Sequence, residues 1–476
     1  MGHFLGIDLG TQGCRALVAD EEGSVISSSY RSLVDHVVDV GGAMSEQRVD
    51  SWWRSIRGAV RGVTGEVEDI DCACVDSTSG TVLAVDREGR PLTNAIMYND
   101  GRAIEESEAV SEAARDLEDR LGYRIRPSFS VAKILWLKEK RKRVFESTHL
   151  FAHAADYIVG RLTETWGYTD HTNALKSGFD LLEYEWPDFY GDLGLPVGKM
   201  PAVMRPGEPI GQVSGDASSE TGIPEGTPVV AGLTDGCASQ IASGAASAGD
   251  WSSTLGTTLV LKGVTEGLIR DPKGRIYSHL HPEGLWMPGG ASSTGGECLS
   301  MEFGDVDLRA MDARAENVTP TDLVIYPLVR KGERFPFADP GAEGFICGSP
   351  RDRVELYAGM LEGVAYLERL AYELMSGLGA SVGQEIFTVG GGSKSRVWLQ
   401  IRANVMGRTM TRSAVPEAAM GAAILAASSS VEVGLGEMAR RMVTVDLRVK
   451  PDDGADEYRD RFSRFREEIS RRGYLG

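Results

Sequence analysis

The feature that most constrains this chain is a strand–turn–strand unit that occurs twice, about half the chain apart. Phe4–Leu5–Gly6–Ile7–Asp8 reads as a buried strand, Leu9–Gly10–Thr11–Gln12–Gly13 as a tight turn, and Arg15–Ala16–Leu17–Val18–Ala19 as the returning strand. The same order recurs over residues 250–261, where Thr254–Leu255–Gly256–Thr257 stands in the place of Asp8–Leu9–Gly10–Thr11. Two copies of one hairpin point to a duplicated fold. A small-residue stretch over residues 243–249 is the expected junction, dividing the chain into domains 1–245 and 246–476. Strand and helix patterns alternate after the first hairpin: a strand over residues 70–75, another over 82–85, then an amphipathic stretch over 103–121. This alternation predicts an α/β architecture. Irregular Gly- and Pro-rich segments are expected at 289–296 and 326–348. They precede a long helix from about Arg353 to Leu378, a strand at 386–389, and helices from Arg396, from Glu417 and over 458–472.

Composition narrows the classes of partner. The formal net charge is −19 over 476 residues, which opposes nucleic-acid or anionic-membrane binding, since both require basic stripes. It does not oppose a nucleotide, because backbone amides and a metal ion can supply the local positive field. The six cysteines are scattered, without the density of a disulfide scaffold. Cys72 and Cys74 read as strand thiols sharing a face. Residues 1–9 carry no basic leader, no stretch is long and apolar enough to span a bilayer, and the expected location is the cytoplasm.

Three segments can carry chemistry, and each also has a plain structural reading. In Asp8–Leu9–Gly10–Thr11–Gln12–Gly13 the glycines bring N–H groups close to an anion, Thr11 and Gln12 add donors, and Asp8 can hold Mg²⁺ through water. An ordinary glycine hairpin has the same pattern. Residues 228–236 form an apolar run ending in Asp235–Gly236. An acid at the carboxyl end of a buried strand can accept a substrate proton, or it can cap the following helix. Gly390–Gly391–Gly392–Ser393–Lys394–Ser395 lies between a strand and a helix and can let a flat base approach the backbone, or serve as a tight turn. It is not a dinucleotide fingerprint, and the only Gly-Lys pair, Gly198–Lys199, is followed by Met200, so no Walker A loop is present. The basic run at 138–143 reads as a solvated helix face, and His153, on an apolar helix at 151–159, as a core histidine. His279 and His281 alternate on a strand without the cluster a metal would need. No G-x-S-x-G elbow supports acyl transfer.

Taken in order, these motifs resemble the FGGY carbohydrate kinases of the actin-like ATPase superfamily, from Gly6 to about Ala426. The matching segments are Gly6–Thr11, Tyr98–Asn99–Asp100–Gly101–Arg102, Gly232–Leu233–Thr234–Asp235–Gly236, Thr254–Thr258, Lys331–Pro336, Gly390–Ser395 and Glu417–Ala423. The resemblance implies two actin-like (ribonuclease H-like) domains, each a mixed five-stranded sheet flanked by helices, with an interdomain cleft. It implies ATP and Mg²⁺, with Asp235 as catalytic base and Asp8 organising the metal and the transferred phosphoryl group. Gly10, Thr11, Gln12, Arg15, Gly256 and Thr257 would bind phosphates, and Gly390, Gly391 and Gly392 adenosine. Ser79, Asp100 and Arg102 would line the sugar site. Residues 76–82 lack the Gly-Gln-Met-His-Gly type segment of xylulose kinases, and with residues 173–176 and 326–336 they look more like the D-ribulose kinase branch; Met301 stands where many relatives carry Trp. D-ribulose is therefore the first candidate acceptor, D-xylulose the second, and another polyol or ketose the third. An actin-like ATPase switch and an inactive sugar sensor are the readings from other classes, and the resemblance leaves a homodimer open.

Overall fold

The computed structural model describes residues 2–475 apart from 35, 39 and 68. The chain forms two units. The first comprises Met1–Ala242, His279–Gly284 and Glu417–Val443, and the second Ser243–Ser278, Leu285–Pro416 and Thr444–Gly476. This division departs from a single cut at 245/246 through two excursions. The larger has a clear physical cause. Helix Ala418–Ser430 is apolar on every side, with Ala418 through Ala427 all buried, so it requires cover all round. It finds that cover in the first unit. A side chain at Gly6 would collide with the Ala419 carbonyl, and one at Gly421 with the Ala238 carbonyl, so glycine at both positions permits backbone-to-backbone packing.

The strands of the two large sheets are numbered here in chain order. In the first unit β1 (His3–Leu9), β2 (Gly13–Asp20), β3 (Val25–Ser32), β4 (Cys72–Ser77), β5 (Pro209–Gln212) and β6 (Pro228–Thr234) pair in the order β5-β6-β4-β1-β2-β3. Strands β1, β4 and β6 are mutually parallel, whereas β2, β3 and β5 run antiparallel to their neighbours. In the second unit β7 (Trp251–Leu255), β8 (Leu259–Gly263), β9 (Ile276–Leu280), β10 (Trp286–Ala291), β11 (Glu385–Val389), β12 (Thr409–Ser413) and β13 (Val445–Val449) pair in the order β9-β10-β8-β7-β11-β12-β13. Five strands correspond: β3-β2-β1-β4-β6 in one sheet and β10-β8-β7-β11-β12 in the other. This is the duplicated actin-like fold, with a correction to the strand count. The sheets have six and seven strands rather than five, because antiparallel strands β5 and β13 cover the edges of β6 and β12, and β9 adds to β10.

Amphipathic helix α1 (Val49–Thr64) covers one face of the first sheet with Trp52, Ile56, Ala59, Val60 and Val63. The second unit is organised by α2 (Arg353–Gly377), whose start is capped by Asp352 accepting from the amides of Val354 and Glu355. Glu368 of α2 and Arg402 of α3 (Arg396–Met406) form a fully buried bidentate pair at 2.6 and 2.8 Å, and Arg402 also donates to Thr388 of β11 at 2.7 Å. Such a pair specifies how helix and strand register, more than it adds net stability.

Local expectations are corrected in three places. Residues 289–296 are not wholly irregular, since they include the end of β10. The amphipathic stretch at 103–121 is two helices, Ile104–Ala113 and Arg115–Leu121. Leu150–His153 is a strand, and His153 caps helix Ala154–Thr163 instead of lying within it. The His153 ring is nonetheless a satisfied core group, bonded to Asp156, Thr169 and Ser177.

Candidate active site

Three carboxylates gather at the carboxyl ends of three adjacent parallel strands in the first unit. Asp8 lies one residue before the end of β1, and in the parallel register its partner on β4 is Asp76. Thr234, the last residue of β6, pairs with Ser77, and Asp235 follows at the start of helix Asp235–Ser243. Strand ends of this kind are where open α/β sheets collect ligands. Asp235 follows the apolar strand and opens the helix, and its Oδ1 accepts from the Gly236 amide at 2.6 Å. Its backbone is fixed from behind. The Thr234 amide donates to Thr172 Oγ1, and Thr172 donates to the buried Asp170 carboxylate.

Asp76 is the member of this group that sequence reasoning missed. Its side chain is completely buried, and among the described residues no N–H or hydroxyl donates to either oxygen. Burial, and then the charges of Asp8 and Asp235, push its pKa well above the usual carboxylate range. Burial also raises Asp8, opposed by the hydrogen bond with Asp76 and by the nearby Arg15 charge. Carboxyls this close share a proton when no cation is present. Among the described residues no three His, Cys, Asp or Glu side chains converge as a metal cage. Mg²⁺ does not need one, since it keeps most of its waters and takes one or two carboxylates, and the under-neutralised Asp8 fits that role.

The loop after β4 carries Ser79, whose hydroxyl is buried without a partner. Gly80 in the same loop accepts from Lys133 Nζ at 2.8 Å, and Lys133 also reaches the Ser128 carbonyl at 3.2 Å. This lysine is fully buried, and burial lowers it to about 7, with Asp100 opposing the shift and Lys176 and Arg102 adding to it. Nothing local in the sequence separates Lys133 from the other basic residues of helix Ser130–Lys140. Asp100 and Arg102 are also buried, but they engage each other, with two side-chain bonds of 2.8 Å. Asp100 further accepts from the amides of Ser45 and Arg102, and Arg102 bonds Glu46 and stacks over Trp136.

In both hairpin turns a glycine amide bonds a carbonyl further along, three residues on in the first and two in the second. The Gly10 amide bonds the Gly13 carbonyl at 3.0 Å, and the Gly256 amide the Thr258 carbonyl at 3.1 Å. These glycine amides close the turns, which carry Thr11 and Gln12 in one case and Thr257 in the other. Arg15, on β2 opposite Asp8, lies over the Tyr30 ring.

The second unit holds a cavity of about 610 Å³ beside its hairpin turn, lined by Leu255, Gly256, Thr257, Leu299, Leu308, Asp312, Tyr357, Gly391, Gly392 and Trp398 among others. The three glycines have different tasks. Gly390 adopts φ +88°, the left-handed conformation that turns the strand into the 3₁₀ segment Gly391–Lys394. Gly392 packs against the Leu255 side chain, while an added Cβ at Gly391 would meet no atom within 4 Å. Gly391 is thus the open floor. An apolar cavity of this size with a bare backbone floor fits an adenosine group.

Duplicated actin-like units, one ending in a carboxylate cluster and the other in a base-sized pocket, define a phosphotransferase of the actin-like ATPase class. The family model of the FGGY family of carbohydrate kinases, N-terminal domain, matches residues 3–242, and that of the C-terminal domain residues 246–430. The chain belongs to the FGGY family of carbohydrate kinases, and it is an ATP-dependent sugar kinase that works with Mg²⁺. It is 25% identical over 448 residues to a xylulose kinase of Bacillus subtilis, covering 90% of this chain and 89% of the relative. To a gluconokinase of the same organism it is 23% identical over 482 residues, covering 96% and 93%. A solved xylulose kinase from Rhodospirillum rubrum has the same fold, with a TM-score of 0.88, 24% identity and 98% of both chains covered. Among the described residues no helix is long and apolar enough to cross a membrane.

Proposed function

We propose that this kinase phosphorylates a hydroxyl of a small ketose, D-ribulose first among the candidates, with Asp235 as the general base. The observation that carries the reading is the convergence of Asp8, Asp76 and Asp235 at the ends of β1, β4 and β6, in the unit that also bears the Ser79 loop. Asp235 accepts the proton of the sugar hydroxyl as that oxygen bonds to the γ-phosphorus of ATP, and ADP leaves. Positioning and charge neutralisation supply most of the rate in such a transfer. Asp8 would hold Mg²⁺ through water, and the ion supplies neutralising charge to the phosphate oxygens. Thr11, Gln12 and Arg15 on one hairpin, with Thr257 on the other, would contact phosphates beside Gly10 and Gly256. Gly391 and Gly392 would face adenosine, with Gly390 setting the turn.

For the sugar, the buried hydroxyl of Ser79 and the Asn173 Oδ1 without a partner are polar atoms that an acceptor's hydroxyls would satisfy. Asp100 and Arg102 would line the sugar site with Ser79. D-ribulose rests on residues 76–82, which lack the xylulose kinase segment, and on their likeness, with residues 173–176 and 326–336, to the D-ribulose kinase branch. D-xylulose is the second reading, favoured by the xylulose kinase relatives. We place the reaction in the cytoplasm. The test is a coupled ADP-release screen over D-ribulose, D- and L-xylulose, L-ribulose, glycerol and four-carbon polyols. D-ribulose is expected to give the highest kcat/KM. A tenfold preference for D-xylulose would overturn the first candidate in favour of the second, and hydrolysis indifferent to every sugar would overturn the kinase mechanism itself.

A further inference from the structure

We infer that Asp312 is the residue by which this kinase distinguishes adenine from other purines, an inference that rests on the adenosine reading of the second unit's pocket. The apolar walls, Leu255, Leu299, Leu308 and Trp398, suit any flat base and say nothing about its edge. Reading an edge requires a polar group held in one orientation. Ser395 is already engaged, because its hydroxyl accepts from the Trp398 amide as the cap of α3. Asp312, on helix Leu308–Ala315, is different. The hydroxyl of Tyr357, a buried residue of α2, donates to Asp312 Oδ1 at 2.8 Å, and no described side chain donates to Oδ2. Tyr357 thus fixes the carboxylate and leaves one oxygen to accept.

That oxygen can accept a hydrogen bond and cannot donate one. Adenine presents an amino group at position 6, whereas hypoxanthine presents a carbonyl oxygen there. A carboxylate oxygen fixed opposite position 6 attracts the first and repels the second. Opposite position 1 it would accept from hypoxanthine's N1–H and reverse the preference, which the titration below reads directly. Arg309 and Lys394 also line the pocket, and as donors they would favour a carbonyl edge if either of them faced the base.

The experiment is calorimetric titration of the full-length protein with ADP and with IDP. The parent is expected to bind ADP at least about tenfold more tightly, as one hydrogen bond to a charged group commonly gives. Asp312→Asn, whose amide both donates and accepts, is expected to bring the two affinities within about threefold, chiefly by improving IDP. A parent ratio near one, or an Asp312→Asn variant that weakens both nucleotides and keeps their ratio, would overturn the assignment. Gly391→Leu separates this failure from that of the underlying reading. An added Cβ there meets no atom within 4 Å, so a side chain can be introduced at the floor, and ADP binding should fall at least about tenfold. Unchanged ADP binding by Gly391→Leu would remove adenosine from this pocket altogether.

Discussion

The two halves of this kinase are the same sheet with different residues at the strand ends. In the first, Asp8 of β1 faces Asp76 of β4 across a parallel register. In the second, the corresponding pair is Thr254 of β7 and Val389 of β11. Each second strand then enters a turn that a buried side chain holds in place. Lys133 donates to the Gly80 carbonyl in one copy, and Ser393 donates to the Gly390 carbonyl at 2.7 Å in the other. Where the strand ends carry acids, the turn leads to unsatisfied polar groups suited to a sugar. Where they are uncharged, it leads to a bare glycine floor suited to a base. The scaffold supplies the positions, and under the proposed mechanism a few residues at the strand ends assign proton and metal chemistry to the first half.

The strongest break of this asymmetry is Asp235→Asn. It should keep ADP affinity within about twofold and lose at least about a thousandfold in kcat, as removal of a base that also positions the hydroxyl does. Calorimetry and coupled ADP release measure the two quantities, and turnover within tenfold of the parent would take the base role from Asp235. The converse change places an acid where the second unit has none. Val389→Asp buries a carboxylate without a partner, as the 4% exposure of Val389 dictates, and should cost about 3–5 kcal/mol. Its signature is an early unfolding transition in a thermal scan; an unshifted transition would show that the second unit tolerates the charge arrangement of the first.

The smallest effect sharpens the role of Lys133. Its folded pKa, about 7, lies below the ordinary lysine value of 10.5, so between those pH values the unfolded chain binds more protons than the folded one. Stability therefore rises with pH across that window, by up to about 1.4 kcal/mol per pH unit for one proton, and the contribution is lost as pH falls through 7. Lys133→Met removes this slope, so the stability gap between parent and variant should widen from pH 7 to pH 9 in urea unfolding. Parallel curves for the two proteins would mean that Lys133 does not titrate in this window.

Much of the site is legible in the chain. Asp8 and Asp235 each end an apolar run, and that local pattern alone places them at strand ends, just as Gly390–Gly392 falls between a strand and a helix. Asp76 is not legible as a partner, because the apolar pattern of its strand, Cys72–Ser77, stops at Val75, and nothing local indicates which strand will lie beside it. Asp100 and Arg102 are legible as a motif, but not as a pair engaged with each other. Tyr357 and Asp312 lie 45 positions apart on separate helices, and no spacing rule connects them.

The sequence by itself determined the duplication, the α/β class, the family and the glycines of the turns, because hairpins, periodicity and short motifs are set by neighbours along the chain. Only the tertiary structure decided that Asp76 joins Asp8, that Lys133 lies under the Ser79 loop, and that residues 417–443 return to the first unit. Those outcomes depend on the register of parallel strands and on where a wholly apolar helix can be covered, and both are fixed by contacts between residues far apart in the chain.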